Sequence, residues 1–190
     1  MEGKDLVSVA DLSGNDIKEL IGKAMEFKIR GSKPLLFGLN LALLFEKPSL
    51  RTRVSFDVAM SQLGGRAIYL SPSEVGLGKR EPVEDVARVL SRYVDGMVAR
   101  TFSQQTVAML ARYASVPVIN GLSDEEHPCQ SLSDLLTIRE IKGRLEGLTI
   151  AYVGDGNNVA NSLMIGAALV GMDFRIAAPE GYWPRDNVLR

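Results

Sequence analysis

The sequence predicts an α/β protein in which a parallel sheet is flanked by helices, followed by the opening of a second α/β unit. Two observations carry this. Short apolar segments alternate with segments of helical length from Leu39 onward, and Leu39 to Phe45 is a nearly continuous apolar run, the pattern of a parallel strand covered on both faces. Parallel strands need crossovers, and the helix-length segments supply them.

The elements follow in order. Ser13 and Asp16 form a capping-box pattern, and Ile17, Leu20, Ile21, Ala24 and Met25 then recur on one helical face, so the chain opens with an amphipathic helix. The most apolar stretch, Leu35 to Phe45, is too short to span a bilayer and reads as a buried strand. Helix is expected from Thr52 to Leu63, strand from Arg66 to Leu70, helix from Pro82 to Tyr93 and strand from Gly96 to Arg100. Helix from Ser103 to Tyr113 and strand from Val116 to Asn120 complete this series. From Gln130 to Gly143 a long helix carries Leu132, Leu135, Leu136, Ile138 and Ile141. A second unit then begins: strand Leu148 to Val153, a polar turn at Gly154 to Asn158, helix to Val170 and strand Phe174 to Ala178. The expected domains are therefore 1–143 and 144–190. One strand-helix-strand unit buries too little of its own sheet, so the second domain reads as incomplete, with apolar surface uncovered near Ile150, Ile165 and Ile176.

Composition narrows the function. Of 190 residues 46% are hydrophobic, enough for a substantial core. Lys and Arg number 22 against 23 Asp and Glu, a formal charge of -1, which provides no overall field for a nucleic acid or an anionic membrane; any anion site must be local. The single cysteine, Cys129, has no internal disulfide partner, and Met1 to Val9 lacks a signal-peptide core, so a reducing cytoplasmic setting is expected.

The sharpest local feature is Phe45-Glu46-Lys47-Pro48-Ser49-Leu50-Arg51-Thr52-Arg53, which leaves a strand and enters a helix. At a helix start the first N–H groups lack intrahelical partners and the dipole favours negative charge; Ser49, Arg51 and Thr52 add donors suited to phosphate oxygens. A capped helix with solvated arginines explains the same residues. Arg100 at the end of one strand, and His127-Pro128-Cys129-Gln130 after another, also fall at C-terminal strand edges, where open α/β sheets bind ligands. His127 is the only histidine. A lone histidine is more often structural, but this neighbourhood makes a role in acyl transfer reasonable. Nothing nearby is arranged to activate Cys129 as a nucleophile, so it reads as a packed residue.

These segments, with Asp155-Gly156-Asn157-Asn158, resemble the aspartate and ornithine carbamoyltransferase family, its ornithine branch most closely, in both order and spacing. The resemblance covers essentially the whole chain. It implies a carbamoyl-phosphate-binding domain followed by the start of a Rossmann-like ornithine-binding domain, and transfer of the carbamoyl group to ornithine to give citrulline and phosphate in arginine biosynthesis. It also implies phosphate binding by Ser49, Leu50, Arg51, Thr52 and Arg53. Arg100, His127 and Thr52 would polarise the carbamoyl carbonyl, Gln130 would orient the amide end, and Asn158 would bind the amino-acid part of ornithine. Asn158 has an alternative reading as part of a helix-capping turn. Leu50 stands where the family usually has Thr.

No metal or organic cofactor is implied, and the expected partners are the two small substrates and, in a homotrimer, further copies of the chain. A neighbouring subunit usually completes the phosphate site; Gly76 occupies the usual Gln position, with Lys79 and Arg80 nearby as substitutes or as solvated charges. The family's later acceptor-reading segments have no counterpart here, so aspartate or putrescine remain alternative acceptors. The 190-residue chain alone is expected to bind a phosphorylated ligand rather than turn it over.

Overall fold

A computed structural model describes residues 3–78, 80–184 and 186–189. The elements, in order, are α1 (Gly14–Arg30), β1 (Asn40–Phe45), α2 (Leu50–Gln62), β2 (Arg66–Leu70), α3 (Pro72–Val75), α4 (Val83–Leu90), β3 (Gly96–Arg100), α5 (Gln104–Tyr113), β4 (Val118–Leu122), α6 (Pro128–Lys142), β5 (Thr149–Val153), α7 (Asn158–Leu169), β6 (Asp173–Ala177) and α8 (Asp186–Leu189). A short 3-10 turn, Val9–Asp11, precedes α1 and is closed by a capping box between Ser8 and Asp11.

The first four strands form one parallel sheet in the order β2-β1-β3-β4. The central strand, β1, buries opposite faces with alternate residues. Ala42 and Leu44 join Met97, Ala99, Val107 and Leu110 in one cluster, while Leu43 and Phe45 join Val98 on the other side, flanked by Phe56 and Tyr69. That two-sided burial is why the strand reads as an unbroken apolar run. Leu6 extends the sheet beside β4, its N–H donating to the Val118 carbonyl at 2.9 Å and its carbonyl accepting from the Asn120 N–H at 2.8 Å. A separate two-stranded parallel sheet pairs β5 with β6, Ile150 opposite Phe174.

The expected buried strand at Leu35 to Phe45 needs correction in its first half. The chain turns at 35–38 and enters β1 only at Asn40, with Phe37 82% exposed. The Leu36 N–H donates to the Leu63 carbonyl at 2.8 Å and the Gly38 N–H to the Gly64 carbonyl at 3.3 Å, so this segment is tied to the end of α2 instead. Gly38 takes φ 80°, a conformation that ends extension and that glycine adopts without steric cost. Of the apolar surface expected near Ile150, Ile165 and Ile176, those three residues are half-buried and the most open position is Val153, 84% exposed; Tyr182 and Trp183, farther along the chain, are exposed as well.

Two compact units emerge. One contains the N-terminal segment through Val7 and Gly31–Ser123; the other contains Ser8–Arg30 with the chain from Asp124 onward. The second is therefore discontinuous. Its core draws Val9, Ile17 and Ile21 from the N-terminal region together with Leu135, Ala160, Leu163 and Ala167. Close approach requires small residues: a Cβ on Gly14 would lie 2.2 Å from the Leu169 carbonyl oxygen, and one on Gly166 would lie 2.6 Å from Ser131 Oγ and 3.2 Å from a Leu135 methyl. Helix α1 thus packs with α6 and α7. The linear division at 143/144 follows the order of the sheets but not this grouping of α1 and α6.

Candidate functional site

Sheet order puts the site where it is. The chain leaves β1 to form β2 on one side and returns to form β3 on the other, making a topological switch point between the ends of β1 and β3. Phe45 pairs with Arg100 at that edge, and the Glu46 N–H donates to the Arg100 carbonyl at 2.8 Å. Glu46 also receives the Phe102 N–H on Oε2 at 2.9 Å, tying the loop after β1 to the loop after β3. The Lys47 ammonium lies 4.5 Å from the centre of the Phe102 ring, a second link between the loops. In the sequence Glu46 carries no signal of this role beyond its place inside the motif.

Ser49 is the N-cap of α2, in extended conformation, and its Oγ accepts from the Thr52 N–H at 3.3 Å. The Ser49 hydroxyl donates to Thr52 Oγ1 at 3.0 Å, and Arg100 Nη1 reaches the same oxygen at 3.4 Å. Ser49, Thr52 and Arg100 are thereby gathered at the start of one helix. Leu50 occupies the first helical position with its side chain 79% exposed, so what it presents at the helix start is its backbone N–H. Arg53 is turned onto the Tyr69 ring, its guanidinium 3.9 Å from the ring centre. That stacking fixes Arg53 against β2, a geometry in which a planar guanidinium retains edge donors.

Arg100 stands out electrostatically. Burial, and then the charge of Arg51, hold its guanidinium below the usual arginine range. Its Nε is buried and has no hydrogen-bond partner among the described residues. A buried donor without an acceptor, next to a second cation, is a costly arrangement that an anion relieves.

The other candidates belong to the second unit. His127 is the residue before α6, with Pro128 at the first helical position, where a missing N–H costs nothing. Its N–H donates to Ser162 Oγ at 2.9 Å. Gln130 Nε2 donates to Asp134 Oδ1 at 2.9 Å, one turn along. Burial raises the Asp134 carboxyl above its ordinary range, and the Gln130 hydrogen bond only partly offsets this. Cys129 keeps part of its surface exposed, yet the atoms packed around the sulfur push its thiol up to about 11. A thiol so shifted is a poor nucleophile at neutral pH.

Within the helix-capping turn the capping side chain is that of Asn157 rather than Asn158. Asn157 is the N-cap of α7, its Oδ1 accepting from Val159 and Ala160 N–H at 2.9 and 3.1 Å, while its Nδ2 donates to Asp155. Asn158 is the first helical residue and is half-buried.

Gly76 closes α3 at φ 54°, and a Cβ there would sit 3.0 Å from Arg80 Cβ, so glycine at this position has a local structural reason. Arg80 is exposed, with Nε 4.0 Å from Glu81 Oε1, while Lys79 lies outside the described residues.

At the switch point of a parallel sheet the fold brings together a capped helix start, Arg51 and Arg100, a set of donors of the kind that suits an anion in an α/β protein. Residues 4–140 match the aspartate/ornithine carbamoyltransferase family in its carbamoyl-P binding domain, and residues 146–190 match the same family's Asp/Orn binding domain. The chain belongs to the aspartate/ornithine carbamoyltransferase family. It is 55% identical over 180 residues to an ornithine carbamoyltransferase of Bacillus subtilis, a match that takes in 95% of this chain and 56% of that protein. It is 54% identical over 190 residues to the ornithine carbamoyltransferase of Carboxydothermus hydrogenoformans, taking in 98% of this chain and 61% of that one. Among solved structures, ornithine carbamoyltransferase from Pyrococcus furiosus superposes with a TM-score of 0.95 at 49% identity, over 98% of this chain and 61% of the other. The chain thus spans about three fifths of the length of these relatives.

Proposed function

We propose that the protein takes part in carbamoyl transfer from carbamoyl phosphate to the side-chain amine of ornithine, giving citrulline and phosphate. The observation that carries this is the buried, unpartnered Nε of Arg100 beside Arg51 at the capped start of α2. The names of the relatives favour ornithine as the acceptor.

The chemistry follows from the donors. The phosphate is taken by Ser49, the Leu50 N–H, Arg51, Thr52 and Arg53, whose charge and helix-start N–H groups match a dianion. Attack by a neutral amine builds negative charge on the carbamoyl oxygen. Thr52, Arg100 and His127 stabilise that charge, Gln130 orients the amide end, and the arginines neutralise the departing phosphate. As the C–N bond forms and the C–O bond to phosphate breaks, the amine gives up one proton, which the departing phosphate takes, so no separate acid or base is required. Asn158 holds the amino-acid portion of ornithine. In this reading 1–143 is the functional carbamoyl-phosphate domain and 144–190 the start of the acceptor domain. The protein works in a reducing cytoplasm as a homotrimer, with Arg80 the exposed described cation best placed in sequence to replace a side chain at Gly76.

Calorimetric titration with carbamoyl phosphate tests the reading, with Arg51→Ala alongside and a second titration with ornithine, aspartate or putrescine into the loaded protein. Saturable binding lost in the variant, followed by selective uptake of ornithine, is the expected outcome. Binding that survives Arg51→Ala, or an equal response to all three amines, contradicts it.

A further inference from the structure

The segment before α6 is held to α7 by a sequence of directed hydrogen bonds. Glu126 Oε2 accepts from the Val9 N–H at 3.0 Å and from the Ser162 hydroxyl at 3.0 Å. Ser162 Oγ, fully buried, accepts the His127 N–H at 2.9 Å. A serine hydroxyl has one proton. Given to Glu126, that proton leaves the oxygen lone pairs directed at His127, so carboxylate and hydroxyl together set the bond direction. The neighbouring residue repeats the pattern, Asn161 Nδ2 donating to the Glu125 carbonyl at 3.0 Å.

We infer that Ser162, oriented by Glu126, is a positioning residue for His127: it fixes the backbone from which the chain's only histidine projects. The histidine, at φ -137° and ψ 71°, lies outside both helix and regular strand, so no helix or strand ladder holds its N–H and the bond to Ser162 takes that place. A relay that ends on a carboxylate anchors more firmly than a lone hydroxyl, because its terminal bond is charge-assisted. The functional consequence rests on the reading that His127 acts on the carbamoyl carbonyl. The anchoring itself does not.

The test is NMR of the imidazole carbon-bound protons in the full chain, where a single histidine gives a single set of signals. Ser162→Ala removes the acceptor for the His127 N–H. Ser131→Ala is the control: the Ser131 hydroxyl donates to the Ser162 carbonyl at 2.9 Å between the same two helices, and the bond Ser131 makes to His127, from its N–H to the His127 carbonyl at 3.2 Å, is a backbone one that alanine keeps. Ser162→Ala is expected to shift and broaden the histidine signals and to weaken carbamoyl phosphate binding about tenfold, the scale of one ordinary hydrogen bond. Ser131→Ala should leave those signals where they are. Unchanged histidine signals in Ser162→Ala, or equal changes in both variants, overturn the inference. If Ser162→Ala alone moves the signals while neither it nor the parent binds carbamoyl phosphate, the positioning role stands and the proposed function fails.

Discussion

Replacing Arg100 by Met separates what this residue does for folding from what it does for an anion. In the folded chain the guanidinium is disfavoured by burial and by Arg51, its Nε has no described partner, and its link to Thr52 Oγ1 is long at 3.4 Å. Met keeps an unbranched stem as far as the position of Nε and removes the charge with the rest of the guanidinium. Swapping a partly buried, incompletely paired cation for an apolar side chain is often neutral or stabilising, so Arg100→Met should unfold within about 1 kcal/mol of the parent when no ligand is present. Binding should respond in the opposite sense. A hydrogen bond to a charged group contributes about 1.5–3 kcal/mol, which is roughly 12- to 150-fold in Kd. At ligand equal to about a hundred times the parent Kd, binding stabilises the parent by about 2.7 kcal/mol, and the variant by only about 0.3 to 1.3 kcal/mol. Urea unfolding with and without carbamoyl phosphate reads both numbers. A variant several kcal/mol less stable without ligand would show that Arg100 is a structural residue. A variant that keeps the parent's full ligand response would remove it from the site.

Other perturbations probe the same account. Cys129, with its thiol near 11, should react with iodoacetamide at pH 8 on the order of a hundredfold more slowly than an ordinary exposed thiol, as followed by mass spectrometry; a normal rate would mean the sulfur is not desolvated. Asp134 has a raised carboxyl, so the folded state holds its proton more tightly than the unfolded chain. Its stabilising contribution is present below the unfolded pKa and is lost as pH rises through the folded value. Asp134→Asn keeps an acceptor for Gln130 and should raise Tm at pH 7 while leaving it little changed in acid; a lower Tm at pH 7 contradicts this. Gly166→Ala forces a methyl to within 2.6 Å of Ser131 Oγ and should lower stability by about 1–3 kcal/mol in chemical denaturation, whereas no loss would mean α6 and α7 separate easily.

Much of the fold was legible because burial leaves periodic traces. Strands β2 and β3 coincide with the expected Arg66 to Leu70 and Gly96 to Arg100, and the capping box at Ser13 and Asp16 sits where α1 begins, with Ser13 Oγ donating to Asp16 at 2.6 Å. The overextension into Leu35 had a physical source: an apolar stretch implies burial, but Leu35, Phe37 and Leu39 stay exposed because the segment pairs by backbone with the end of α2. Helix α3 is only four residues and has no apolar period to reveal it. The grouping of α1 with α6 and α7 was invisible for a different reason. An amphipathic face records that a helix packs, not what it packs against. The same distinction governs the site. Ser49, Thr52 and Arg100 could be named from helix-start chemistry and strand ends, which are local. Glu46 and Ser162 act through hydrogen bonds to residues 56 and 35 positions away, and no spacing rule reaches that far.

The central claim is that the start of α2 and Arg100 form the anion site, and amide NMR of the 20.7 kDa chain titrated with carbamoyl phosphate tests it most directly. The largest shifts should fall on the backbone N–H groups of Leu50, Arg51, Thr52 and Arg53 and on the Arg100 Nε–H. Saturating shifts that leave those five signals in place and cluster elsewhere would contradict the claim.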